Sequence, residues 1–574
     1  MNETTLEGIE AAIAARRAKL PEVREADLRE RGILLGEGPE AFRQSFGKTF
    51  SPAPALWARP RSAAELAEVV SFATQRGLPI KPMGSLCTWS KAACPETTGI
   101  ALLTDGLVGF SDAEPTLRAN LRGPAERPAV AESTEAVRAT RRLVRVGAGC
   151  TIWAFNEALI ERGLALQTMG GYGGERVGGA FSTGTHGSSI YFGPMCDSVR
   201  SLDLVWQGVK VRLEPEQGPT DPRLFDQSEE HRGWLLVQHD ALFHAARTSY
   251  GTMGVAFSYL VEVAPLYHLN EVREPITLSV AREEMRAVVL GSPGNVFERA
   301  LSAEYYLNLA SQSAAPPVTR VTRTVVPRPA RMSKTRSTVD ERVFGLLHKL
   351  GVDPGRVFTR LFRWMPKRVP GVLDFFIGRL REQFANLYDR VYNMGAANYV
   401  GTQVQEIAVP AEHLDAYLDD CLALANRLFT GEQKALTSPI GVRFVKPSPA
   451  TLAVQGLSYR DAAGNEKPAA LWAMVNYTLT IGTEHGDELL RAFHDAARPY
   501  GGRSHPGKYC FDDHAEWAAR HDLPAFLALR RVADPDDVFL NGWNRDLLGI
   551  PQEKPKARPA KSERPRSQQP SAFA

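Results

Sequence analysis

Residues 169–205 read MGGYGGERVGGAFSTGTHGSSIYFGPMCDSVRSLDLV, and eight glycines fall between Gly170 and Gly187. Glycine lets the chain adopt φ > 0 and lets another group come close to the backbone. Backbone N–H groups that converge in such loops form anion-binding concavities. The hydroxyls of Ser182, Thr183 and Thr185 place further donors beside Gly178, Gly179 and Gly184. A strand-like run, VRSLDLV, follows and fastens the segment to a core. The alternative is a glycine-rich surface loop. The cradle reading predicts an anionic ligand held by backbone.

Two common phosphate-binding motifs are absent. G-x-G-x-x-G must follow a strand and open a helix. From Gly171 the pattern continues to Gly173 and then places Arg176 where glycine is required. There is no G-x-x-x-x-G-K-[ST]. The anion is therefore bound by a different fold.

A chain of 574 residues predicts two or three domains. Hydrophobic residues at 44% and charged residues at 23% are those of a globular protein. The net charge of +3 conceals an asymmetry, because residues 316–390 carry 16 Lys/Arg against 6 Asp/Glu. Cys87, Cys94, Cys150, Cys196, Cys421 and Cys510 show no metal-ligand spacing and read as reduced thiols, which predicts a reducing, cytoplasmic compartment. The N-terminus reads as an amphipathic helix rather than a signal peptide. No window approaches 18 apolar residues, so no transmembrane helix is expected. Nothing points to nucleic acid.

Along the chain, residues 1–44 read as a helical extension. In 57–82, Ser62 and Glu65 predict a capping box, Leu66, Val69, Val70 and Ala73 an apolar helix stripe, and Gly77 its end. LPIKPM returns as a strand and runs into GSLCTWS, a second Gly/Ser turn that holds Gly84, Ser85, Leu86 and Cys87. RRLVRVGAGC predicts a strand, residues 151–163 a helix, and residues 242–265 a helix, a turn at Gly251–Gly254 and a long alternating strand from Val255.

The order PRSAAEL, GSLCTWS, VRVGAG, VGGAFSTGTHGSS with LDLV, then ALFHAARTSYGTMGV is similar to the vanillyl-alcohol-oxidase (VAO/PCMH) type of FAD-linked oxidoreductases. Within that type the chain resembles the aldonolactone and alditol oxidases, then the flavin-linked cholesterol oxidases. The run from Ser182 through Thr185 and His186 to Gly187 is its most specific element, and the match resumes near residues 403–410, 438–445, 503–510 and 533–541. The resemblance implies an α+β fold: a two-subdomain PCMH-type FAD-binding domain plus an α+β substrate (cap) domain with an antiparallel sheet. The expected division is 1–44, a flavin domain at 45–265, a substrate domain at 266–500 with a basic helical insert at 316–390, a return segment at 501–550, and a disordered tail at 551–574. Gly84, Ser85, Leu86, Cys87, Gly170, Gly178, Gly179, Ser182, Thr183, Gly184, Thr185, His186, Gly187, Gly254 and Val255 are then the expected FAD-binding residues.

Three departures from the resembled pattern matter. Cys87 stands where many relatives carry a histidine joined to the flavin, so FAD is expected to be non-covalent, with a thioether as the alternative. Gly441-Val442-Arg443 stands for Glu-Val-Arg, and His505-Pro506-Gly507-Lys508 for His-Trp-Gly-Lys. Arg443 and Lys508 are the expected cationic contacts to substrate oxygen or reduced flavin; a surface ion pair is their alternative. Glu406 is the candidate replacement carboxylate, with a solvated acid on an edge strand as its alternative. The implied reaction takes a hydride from a hydroxyl-bearing carbon of an aldonolactone, polyol or other secondary alcohol, with oxygen or another acceptor reoxidising the flavin. Other readings are a non-catalytic flavin-fold binding protein and a sterol-type alcohol oxidase. Residues 319–342 read as irregular. Residues 343–384 mix Phe, Leu and Trp with arginines, which fits a cap helix or peripheral contact with a membrane surface.

Overall fold

The computed structural model describes residues 5–112, 114–122, 127–139, 142–333, 354–393, 401–461 and 463–552. The 343–352 stretch of the basic segment and the tail from 553 onward lie outside the described residues.

Alternation of side chains along one strand set builds the wall on which the site rests. Eight strands pair antiparallel in the order Glu382–Leu387, His268–Thr277, Pro317–Val326, Ser302–Leu307, Ile440–Val445, Trp472–Thr480, Thr402–Pro410 and Arg503–Ser504. Successive residues of a strand face opposite sides. Ile407, Val409, Val442, Phe444, Val475 and Tyr477 therefore share one face, where they pack on Leu414, Leu418, Leu490 and Phe493 of the helices Leu414–Glu432 and Gly486–Ala497. Register lines up Glu406, Asn476, Gly441, Tyr306 and Thr319 as one row across five strands on the opposite face.

The other half carries two smaller sheets. Leu34–Leu35, Leu56–Ala58, Ile100–Leu103 and Ile80–Met83 form one. Val199–Trp206, Val255–Pro265 and Arg142–Gly147 are central in the other, a mixed sheet of seven. The helix Ala63–Arg76 fills the space between them, with Leu66, Val69, Val70 and Ala73 all fully buried. Its ends follow the sequence closely. Gly77 caps it at φ 58°, and Ser62 Oγ accepts from the Glu65 N–H at 3.1 Å. The box closes differently from expectation, because the Glu65 carboxylate accepts from the N–H of Arg61.

Three expectations are corrected. Residues 319–326, read as irregular, belong to the strand Pro317–Val326. Its arginines look unsuited to a sheet only until their partners are seen. Arg323 donates to Glu271 Oε2 and Glu304 Oε1, both at 2.7 Å, and Arg320 pairs with Glu274 and Glu284. The strand from Val255 does not alternate; it is buried on both faces because strands flank it and helices cover it. Gly178 and Gly179 are not in a loop but in a short helix, Val177–Ser182.

Arg323 is buried between two carboxylates. Arg323→Leu leaves Glu271 and Glu304 short of a cation in the interior and should lower unfolding free energy by about 3–5 kcal/mol, read from urea denaturation. A loss below about 1 kcal/mol contradicts this account.

Candidate active site

A cavity of about 1170 Å³ is bounded by the Gly84–Thr88 turn and the glycine segment on one side and by the eight-stranded sheet on the other. Gly84, Ser85, Leu86, Cys87, Gly170, Gly178, Gly179, Ser182, Thr183, Thr185, His186, Gly254 and Val255 line it. Gly184 and Gly187 do not. Gly184 makes the turn behind the wall at φ +71°, and a Cβ on Gly187 would collide with Thr168 Oγ1. Gly254 takes φ +85° where a Cβ would lie 2.6 Å from Val205 O.

The end of the Gly84–Thr88 turn meets both the C-terminal segment and the sheet here. Thr88 Oγ1 donates to Gly507 O at 2.8 Å, and Trp89 Nε1 to Thr402 O at 2.6 Å. The volume exceeds the roughly 300–1,000 Å³ of common ligand sites. A Cβ on Gly178 would lie 3.1 Å from Ala148 O, whereas a Cβ on Gly179 would meet nothing within 4 Å, so Gly179 opens onto the cavity. Backbone exposed in this way, in a space of this size, fits a dinucleotide.

Glu406 sits at the sheet end of the cavity, on the strand Thr402–Pro410, and is fully buried. It is not a solvated edge acid. Lys508 Nζ donates to its Oε2 at 2.7 Å, His186 Nε2 stands 3.2 Å from the same oxygen, and Arg443 lies 3.9 Å from Oε1. Burial opposes its ionisation, yet Lys508, His186 and Arg443 hold the carboxyl well below its ordinary range. Oε1 accepts no hydrogen bond among the described residues. His186 Nδ1 contacts Gly187 O at 2.8 Å, so the ring is both fixed by its loop and joined to Glu406. Burial and Lys508 push His505 down to about 3; its Nδ1 accepts from the Gly507 N–H, which leaves the neutral ring's proton on Nε2.

Four residues of this site escaped the sequence reading. Glu175, the sole acid of residues 169–187, lines the cavity, and its position amid the glycines was a usable signal. Burial pushes its carboxyl up to about 7, against Lys508 and a hydrogen bond from Thr185 Oγ1. Lys81 is fully buried, with Nζ on the carbonyls of Tyr250, Gly251 and Phe539 and on Asn544 Oδ1, and desolvation takes it down to about 7. Glu304 stands opposite Arg443, and Tyr306 opposite Gly441. The Tyr306 hydroxyl donates to Glu304 at 2.5 Å, and its ring would lie 3.2 Å from a Cβ on Gly441. Only strand register reveals that pair.

Comparison with known proteins agrees with this geometry. The sequence model of the FAD binding domain family matches residues 54–211, and that of D-arabinono-1,4-lactone oxidase matches 316–547. The chain is similar to an L-gulono-1,4-lactone dehydrogenase of Mycobacterium tuberculosis, 25% identical over 500 residues, covering 87% of this chain and 96% of that one. It is also similar to an L-gulonolactone oxidase of Mus musculus, 25% identical over 41% of this chain and 43% of that one. In structure it resembles the cholesterol oxidase of B. sterolicum, with a TM-score of 0.64 at 13% identity over 88% of this chain and 96% of that one. The structural likeness gives the fold, a flavin-type one with a cavity of fitting size. The two matched family models and these relatives together support an FAD-dependent oxidoreductase of the VAO/PCMH type that acts on hydroxyl-bearing substrates.

Glu175 makes stability depend on pH. Its folded value, about 7, lies above the ordinary 4.5. The contribution of the protonated form is thus whole below pH 4.5 and is lost as pH rises through about 7. Glu175→Gln keeps a neutral group throughout. In FAD-free protein, its melting temperature relative to the parent should climb between pH 4.5 and 7, as followed by calorimetry. A difference that stays constant over that interval rejects the assignment.

Proposed function

We propose that the chain oxidises a CH–OH carbon to a carbonyl, with aldonolactones as the first class to test because the relatives bear those names. The observation that carries this reading is Glu406, ionised, buried and lining the cavity, with Oε2 held by Lys508 and Oε1 accepting no hydrogen bond among the described residues. The substrate hydroxyl donates to Oε1 and gives its proton there as the carbon releases a hydride. Bound there, FAD supplies the hydride acceptor, with oxygen or another acceptor taking the electrons onward. Lys508 and Arg443 keep positive charge beside the oxygen as negative charge develops on it. His505 Nε2–H is a further donor at the same end of the cavity. Residues 45–265 and 501–550 hold the cofactor through the Gly84–Cys87 turn and Gly178–Thr183, and 266–500 hold the substrate.

A non-catalytic binding role is disfavoured by the same cluster. In this reading Glu406, in the same row as Gly441 and two strands along the sheet, takes the part of the carboxylate missing at Gly441. Glu406→Gln should retain FAD and slow anaerobic flavin bleaching by about 10²–10⁴-fold, measured with a panel of aldonolactones and alcohols by stopped-flow absorbance. An unchanged rate with the best substrate removes Glu406 from the reaction.

Cys87 bears on how FAD is held. Burial pushes its thiol well above the ordinary value, so it is not the thiolate that nucleophilic attachment needs. Acid precipitation should therefore release FAD into the supernatant. A yellow pellet, with FAD mass on the peptide that contains Cys87, establishes the thioether instead.

The basic segment contributes the cap and, in this reading, a peripheral membrane contact. Phe362, Val369, Leu373 and Ile377 form its own buried cluster, while Trp364 is 79% exposed. No helix among the described residues is long and apolar enough to cross a membrane.

A further inference from the structure

The cavity has two unlike walls. Its floor is the strand row with Glu406, Asn476, Tyr306 and Thr319, which is polar. Its roof is built from residues 354–381. The helix Val369–Ile377 lies over the strand Pro317–Val326 and is held by Asn308 Nδ2, which donates to Pro370 O at 3.0 Å and Asp374 Oδ1 at 2.8 Å. The helix Pro354–Trp364 is held by Thr359 Oγ1, which donates to Thr480 Oγ1 at 2.7 Å. From these helices Phe362, Val372, Leu373, Phe375, Phe376 and Ile377 line the cavity. None of the six side chains has a hydrogen-bonding group. A small polyhydroxylated ring beneath these six would lose water from hydroxyls that find no partner among them; Arg379 and Arg381, past the end of the helix, are the polar lining residues of this segment.

Phe375 and Phe376 are 52% and 46% exposed yet line the cavity, which places its mouth beside them. Trp364 and Met365 are exposed on the same segment. Residues 354–381 hold seven Lys/Arg and one acid, Asp374, whose carboxylate is bonded inward to Asn308 and Ser311. Exposed aromatic residues among cations suit an anionic lipid surface.

We infer that the site takes an amphipathic alcohol from an anionic lipid surface, its hydroxyl toward Glu406 and its apolar body under the Val369–Ile377 helix. This rests on the oxidoreductase reading above and moves the substrate class away from small lactones.

The test uses the full FAD-loaded chain with three probes: dodecan-1-ol, cholesterol and L-gulono-1,4-lactone. The two amphiphiles are presented in phosphatidylcholine vesicles with and without phosphatidylglycerol. Equilibrium dialysis of the tritiated amphiphiles reports binding without turnover, and anaerobic flavin bleaching reports chemistry. At least one amphiphile should bind and bleach the flavin, faster with phosphatidylglycerol present. Leu373→Asp and, at the half-exposed mouth, Phe376→Asp should weaken its binding by at least about tenfold while keeping the FAD content. Bleaching by the lactone with neither amphiphile bound overturns the inference and leaves the oxidoreductase reading standing. Amphiphile binding that depends on Leu373, with no bleaching by any probe, overturns the oxidoreductase reading instead. Equal binding to parent and both variants overturns the placement under the helix.

Discussion

A carboxylate buried without cations is too costly to remain ionised. Glu406 is buried and ionised, so the chain must bring cations to it. They come from widely separated stretches, Arg443 from a strand two places along the sheet and Lys508 from the C-terminal segment, and His186 of the glycine segment sets its Nε2 3.2 Å from the same carboxylate. The cluster thereby ties the flavin half, the substrate sheet and the returning chain to one point. Lys81 does the same at the other end, where a single ammonium holds carbonyls from the Tyr250–Gly251 turn and from Phe539. Between these two anchors the cavity keeps its shape.

Much of the flavin half was legible in the residues. The turn at Gly254, the helix stripe at 66–73 and its Gly77 stop are local signals, and local geometry reproduces them. The short helix Val177–Ser182 was not legible, because two adjacent glycines argue against helix on propensity. Tertiary packing wins there: the Gly178 N–H donates to Ala148 O at 2.9 Å, and a Cβ on Gly178 would crowd that carbonyl at 3.1 Å.

The substrate half was harder for a physical reason. Its chemistry depends on register between strands far apart in sequence, and no local pattern encodes register. Arg443 and Lys508 were found through a motif, but Glu304 and Tyr306 belong to no motif. They matter because Ser302–Leu307 pairs with Ile440–Val445 so that Glu304 faces Arg443. The arginines of Pro317–Val326 misled in the same way. Read alone, they suggest irregular chain; read against their carboxylates, Arg323 is the buried half of pairs with Glu271 and Glu304, and Arg320 the half-buried partner of Glu274 and Glu284.

The same alternation explains why the roof had to come from elsewhere. One face of the eight-stranded sheet is committed to the core with the helices Leu414–Glu432 and Gly486–Ala497. The opposite face carries the polar row that the chemistry needs, and its apolar residues Ala408, Val445, Trp472 and Met474 are already packed with Val454 and Tyr459. A sheet alone therefore offers such a guest one polar wall. Helices pinned across its end by Asn308 and Thr359 add the missing apolar wall and leave every strand residue in place. Polar floor and apolar roof are thus set by separate stretches of chain. Substitutions in 354–381 alter what the cavity admits while the charges around Glu406 stay where register put them.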